Sequence, residues 1–230
     1  MLALYHHPLL ASCRFVRLIL GEYGEEPELV EEKPWERRRE FLALNPAGSM
    51  PVLVAEGGTP ICGFSVIAEY LDETRGAMMR DRRLLADDPM ERAEIRRLVD
   101  WYLVKTENDV TRYLVRERAF KQVMPGSLGG GAPDSAVLRA ARANVRQHLK
   151  YTAWLANRSN WLAGDRLSYA DMAAGAALSC LDYLGEIDWS AYPVAREWYQ
   201  RLKSRPSFRP ILADRVRGLP PVSHYPDLDF

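Results

Sequence analysis

Hydrophobic and polar positions along the chain fall into two regimes. Up to about residue 75, short apolar runs of strand type alternate with helical ones. "LALYHH" (residues 2–7) reads as a strand, followed by a helix from about Ser12 to Tyr23 with Gly21 and Gly24 as stop signals. "PELVEE" reads as a second strand, and a charged helix is expected around Trp35 to Leu44. Two further runs, "PVLVA" and "TPICG", precede an amphipathic helix near Ser65 to Glu73. Beyond Arg75 the period is lost in "GAMMRDRRLLADDP", which reads as a linker. The remainder is helical. Pro89 suits the first turn of a long helix whose stripe includes Ile95, Leu98, Trp101 or Tyr102, and Val110. "MPGSLGGGAPD" breaks it, and Asp134 is expected to cap a second long helix burying Leu138, Ala141, Val145 and Leu149.

The pattern predicts a small α/β layer of thioredoxin type over residues 1–76, a linker over 77–89 and an all-α domain over 90–213. An extended tail follows over 214–230, where Pro220, Pro221 and Pro226 forbid helix.

Composition narrows the function classes. The chain has 230 residues, 47% of them hydrophobic, enough for a sizeable core. The longest apolar run, Met172 to Leu181, is too short to cross a bilayer, so no membrane insertion is expected. No basic stretch precedes the first apolar run, so a first strand is expected there and not a signal peptide. Cys13, Cys62 and Cys180 are odd in number and widely spaced, and the four histidines have no metal-ligand spacing. A reduced cytosolic protein without disulfide, metal or cofactor is expected. "GGG" lacks the following Lys-Ser/Thr of a phosphate cradle. Net charge is zero but uneven: residues 1–76 carry seven Lys or Arg against twelve Asp or Glu, the rest 24 against 19. A neutral chain without a recognition motif is a poor candidate for nucleic acid.

Three stretches carry a family resemblance: "NPAGSMPVLV" (residues 45–54), "GDRLSYADMAAGAAL" (164–178) and "YPVAREWYQRLKSRPSF" (192–208). Their order and spacing resemble the glutathione transferases over roughly residues 1–210. The resemblance implies an α/β thioredoxin-like N-terminal domain plus an all-α C-terminal domain. It also implies a cis bond at Pro51 and an N-capping box from Ser168 and Asp171.

That family activates the thiol of glutathione with a Ser, Cys or Tyr near the first helix, where a hydrogen bond and the helix N-terminus favour the thiolate. Laid over "PLLASCRFVRL", the activating position falls on Leu10, which neither donates nor accepts. The family's Glu-Ser grip on the γ-glutamyl end falls on Gly63 and Phe64. A lost charged contact typically costs about 1.5–3 kcal/mol, so losing both removes much of the affinity. No catalytic or glutathione-binding residue is therefore expected. Cys13, in the first helical turn, is expected to pack the core, and Ser12 to be an N-cap or first-turn residue. The alternative is a divergent glutathione transferase using Cys13 or Ser12.

Surface recognition is then the expected function. Arg139, Arg142, Arg146 and Lys150 recur at helical spacing, and "RYLVRERAFK" adds Arg112 and Arg116. In "GLPPVSHYPDLDF", Tyr225, Asp227, Asp229 and Phe230 are candidate partner contacts, on a tail expected to be dispensable for folding; the alternative is a strap packed on its own domain. The stretches "YHHPLLASCRFVRLIL" and "HYPDLDF" resemble the alphaproteobacterial glutathione-transferase-like cell-division proteins that bind FtsZ filaments. That resemblance implies a non-enzymatic homodimer, recruited to the division site, that binds the tubulin-like GTPase FtsZ and other divisome proteins, shapes its filaments and promotes constriction. In the dimer, the acidic first domain of one chain is expected to face the basic helices of the other.

Overall fold

The computed structural model describes residues 2–55 and 57–230. Alternation in "ALYH" sets Leu4 and His6 on the buried face of β1 (Ala3–His6). β1 pairs in parallel with β2 (Glu28–Glu31) and antiparallel with β3 (Val52–Val54), which pairs antiparallel with β4 (Pro60–Cys62). The strand order is β2-β1-β3-β4, so β2 and β4 are the edges. The parallel pair requires a crossover, supplied by α1 (Ala11–Glu22). α1 packs on α3 (Phe64–Thr74) and on α6 (Tyr169–Tyr183) of the helical region, which explains why its residues 13–20 are all buried.

The charged helix begins later than its composition suggests. α2 spans Arg39–Leu44; Trp35 lies in a turn closed by the Glu36 N–H donating to the Lys33 carbonyl. Arg37 has φ 46°, which ends any helix entered from Pro34. The expected linker is also more ordered than its aperiodic sequence suggests. Gly76–Arg82 forms a 3₁₀ turn, and the fully buried Asp72 holds Arg83 (2.9 and 2.6 Å) and Arg92 (3.0 Å) across it.

Pro89 opens α4, and residues 89–123 run as one rod with wide π turns at Trp101–Lys105, Glu107–Thr111 and Arg116–Phe120. Tyr102, not Trp101, takes the fully buried place on its stripe. Asp134 accepts from the N–H groups of Ala136 (2.8 Å) and Val137 (3.2 Å), capping α5 (Ser135–Ala156). In α6, a capping box joins Ser168 and Asp171, and all fifteen residues are buried. Small side chains let neighbours approach: a Cβ on Gly175 would lie 2.3 Å from Leu202 of α7 (Pro193–Lys203).

The C-terminal segment corrects an expectation. Tyr225 is fully buried, and the Phe230 ring sits 5.5 Å from Trp189 and 4.1 Å from the Lys203 ammonium. Lys203 also donates to the Asp227 carbonyl (2.6 Å), and His224 Nε2 lies 3.0 Å from Asp182 Oδ1. The tail is therefore a strap on the helical core. Tyr225 and Phe230 are spent on internal packing because large aromatic surfaces gain more from burial than from solvation. Asp227 and Asp229 remain exposed.

Candidate functional site

The first candidate centre lies where α1, β3 and α3 meet. Leu10 is the N-cap residue of α1 and makes no side-chain cap bond. The Ser12 hydroxyl donates to the Met50 carbonyl (3.3 Å), beside the cis Met50–Pro51 peptide bond. Cys13 is fully buried, and burial pushes its thiol up to about 12. At neutral pH that sulfur is protonated and enclosed, the opposite of a reactive cysteine. Gly63 stands at the N-cap of α3 with φ 91° and donates its N–H to the Pro51 carbonyl (3.0 Å). Phe64 follows, its ring edge-to-face with Phe15 at 6.1 Å. Position 64, the first of α3, thus carries a phenyl ring packed on Phe15 and not a hydroxyl.

A second aromatic cluster closes the space between sheet and helices. The Phe120 ring lies 4.9 Å from His7 and 5.1 Å from Trp35. Burial, with Arg17 and Arg14 beyond it, lowers His6 to about 4; burial, with His6 and Arg14, lowers His7 to about 4. Both are neutral at pH 7. Among the described residues no group of three His, Cys, Asp or Glu could hold a metal ion, and no helix is long and apolar enough to cross a membrane.

The arginine candidates separate by their partners. Arg142 is bound to Glu186 through Nε (2.7 Å) and Nη2 (3.0 Å), with Arg118 on the same carboxylate. Arg112 bonds Asn108 (2.9 Å) and covers the Tyr113 ring at 4.8 Å. Arg116, Arg139 and Arg146 are exposed and carry no ion pair among the described residues. Arg146 lines a groove of about 490 Å³ with Val145, Ile187 and Tyr192. Sequence reasoning missed an aromatic ladder on the α4–α5 surface. Trp101 lies 4.4 Å from Tyr151, which stacks on Trp154 at 5.8 Å; Trp154 is 52% exposed. The Tyr151–Trp154 spacing of three residues on one helix was the available signal.

A thioredoxin-like sheet domain joined to a helical domain through α1 and α6, with cis-Pro51 facing the α3 N-terminus, defines the class. Residues 11–74 match the family model described as glutathione S-transferase, N-terminal domain, and residues 109–206 the model described as glutathione S-transferase, C-terminal domain. The chain belongs to the glutathione S-transferase family. It is 45% identical over 230 residues to FtsZ-localized protein A of Caulobacter vibrioides, covering 99% of this chain and 97% of that protein. Among solved structures, a glutathione S-transferase from Sinorhizobium meliloti 1021 is 66% identical with a TM-score of 0.98 over 100% of both chains. FzlA from C. crescentus is 44% identical with a TM-score of 0.91, over 100% of this chain and 99% of that one.

Proposed function

We propose that this protein is a glutathione-transferase-like cell-division protein that binds FtsZ filaments, shapes them and promotes constriction, working as a homodimer without transferase chemistry. The observation that carries the loss of chemistry is the Gly63–Phe64 pair at the α3 N-terminus, with the Phe64 ring turned onto Phe15. Leu10 at the α1 N-cap and the raised thiol of Cys13 support the same reading. The proposed partner rests on the 45% identity to FtsZ-localized protein A. Arg116, Arg139 and Arg146, exposed and unpaired, are the preferred contacts, with Asp227 and Asp229 on the strap as a separate candidate patch.

Co-pelleting of the purified protein with GTP-assembled FtsZ tests the reading. Wild type is expected in the pellet, and Arg139→Glu/Arg146→Glu is expected to stay in the supernatant while remaining folded. Wild type left in the supernatant at saturating filament would overturn it. A second reading, a divergent glutathione transferase, is favoured by the name of the 66% identical S. meliloti structure and by the half-buried Ser12 hydroxyl at the helix start. Conjugation activity lost in Ser12→Ala or Cys13→Ala would put that reading first.

A further inference from the structure

The sheet has an open edge at β2. Its inner groups are used: the Glu28 N–H donates to the Leu2 carbonyl (2.9 Å) and the Glu32 N–H to the His6 carbonyl (2.8 Å). In a parallel pair alternate residues face the other way, so the N–H and C=O of Leu29 and Glu31 point outward. No backbone partner meets them among the described residues. Glu28, Leu29 and Glu31 are exposed, Leu29 at 44%. Beside Leu29 lies a groove of about 330 Å³ walled by Gly21, Pro27, Pro206, Pro210 and Ile211. Arg17, the one cation among the described lining residues, is committed to Asp214 through two bonds (2.7 and 2.9 Å).

Charge selects the occupant. Glu26, Glu28 and Glu31 have no ion-pair partner among the described residues. Like charges directly opposite one another destabilise a strand pair, so this edge repels the same edge of a second copy. A basic strand meets the reverse condition.

We propose that β2 is a docking edge for an extended basic segment of a partner protein. The segment adds as a fifth strand, seats one apolar side chain in the groove beside Leu29, and sets Lys or Arg side chains on the opposite face against Glu28. Main-chain bonds to Leu29 and Glu31 supply register and affinity; the alternating side chains supply specificity. The proposal is independent of the filament reading.

The probe is a short capped peptide alternating valine with lysine around a central leucine, titrated by fluorescence anisotropy into the whole protein. Its counterpart carries glutamate for lysine. The basic peptide is expected to bind at least about tenfold more tightly than the acidic one, a gap of the size one good charged contact supplies. Hydrogen exchange by NMR is expected to slow at the Leu29 and Glu31 amides when the basic peptide is bound. Glu28→Lys/Glu31→Lys is expected to weaken binding by about tenfold or more. Glu31→Pro removes an outward donor at a position where an edge strand tolerates proline, and is expected to weaken it similarly. If Glu31→Pro fails to fold, the charge reversal and the amide protection decide. Equal binding of both peptides, protection at other amides, or self-association that disappears in Glu28→Lys/Glu31→Lys would overturn the proposal.

Discussion

The Arg14 guanidinium donates to the Tyr225 hydroxyl at 3.0 Å, joining the first helix to the strap across 211 positions of sequence. Arg14 is fully buried; it also donates to the Pro8 carbonyl (2.5 Å) and to Ser179 (2.8 Å). The Tyr225 hydroxyl in turn donates to the Ile211 carbonyl (3.2 Å). A buried cation needs its hydrogen bonds, so the strap is part of what lets Arg14 sit inside.

Tyr225→Phe is expected to cost about 1.5–3 kcal/mol, the value of a hydrogen bond to a charged group. Deleting residues 218–230 is expected to lower the thermal midpoint further, because Trp189 and Tyr199 lose the Phe230 ring packed on them. Denaturant titration of both variants checks this. A deletion that melts like wild type would show the strap to be ornamental.

Stability is expected to fall as pH drops from about 6.5 to about 4. His6 and His7 have folded values lowered to about 4, so they stay neutral when folded and take up protons on unfolding below 6.5. Their contribution is present above 6.5 and is lost on the way down, by no more than about 3 kcal/mol each. Asp171, raised by burial from 3.8 to about 6, works in the opposite sense. Its contribution is present below 3.8 and lost as pH rises through about 6. Glu107 and Asp182, also raised by burial, act with Asp171, while His148, lowered by burial, acts with His6 and His7. Denaturant midpoints measured across this range should decline toward acid, with a shallower decline in His6→Gln.

In the proposed homodimer, the Trp101–Tyr151–Trp154 ladder is expected to lie in the contact. An exposed tryptophan carrying the Arg158 guanidinium at 4.5 Å gains from being covered by the acidic first domain of a second copy. Trp154→Glu is expected to weaken dimerisation by about 2 kcal/mol, roughly thirtyfold. Sedimentation equilibrium reads the change; a wild type that stays monomeric at micromolar concentration defeats the idea.

Glutathione at millimolar concentration is expected to give no saturable heat in titration calorimetry. Phe64→Ser restores a hydroxyl at the α3 N-terminus but neither an acid at 63 nor an activating group at 10. Conjugation in that variant is therefore expected to remain at background. Turnover in wild type would contradict the loss of function argued from Leu10, Gly63 and Phe64.

Local rules determined much of this protein. Period-two alternation in "ALYH" and the stripe of Leu138, Ala141, Val145 and Leu149 are set by neighbours two to four residues away, so strand and helix are legible in the string. The two-domain fold was legible for the same reason, since its motifs are turns and caps that act within a few residues. Residue type alone shows that the Leu10 and Phe64 side chains cannot hydrogen-bond. What the string does not carry is pairing at a distance. Helical spacing made Arg142 a candidate contact without naming its partner, and Glu186, 44 residues on, takes it. Trp35 looked helical, yet it turns aside to meet Phe120. Tyr225 and Phe230 looked like bait for a partner, yet they complete the core around Arg14 and Lys203. An aromatic or an arginine has several possible partners of similar chemistry, and only the packed fold, by placing one of them within reach, decides which contact excludes water and which stays open.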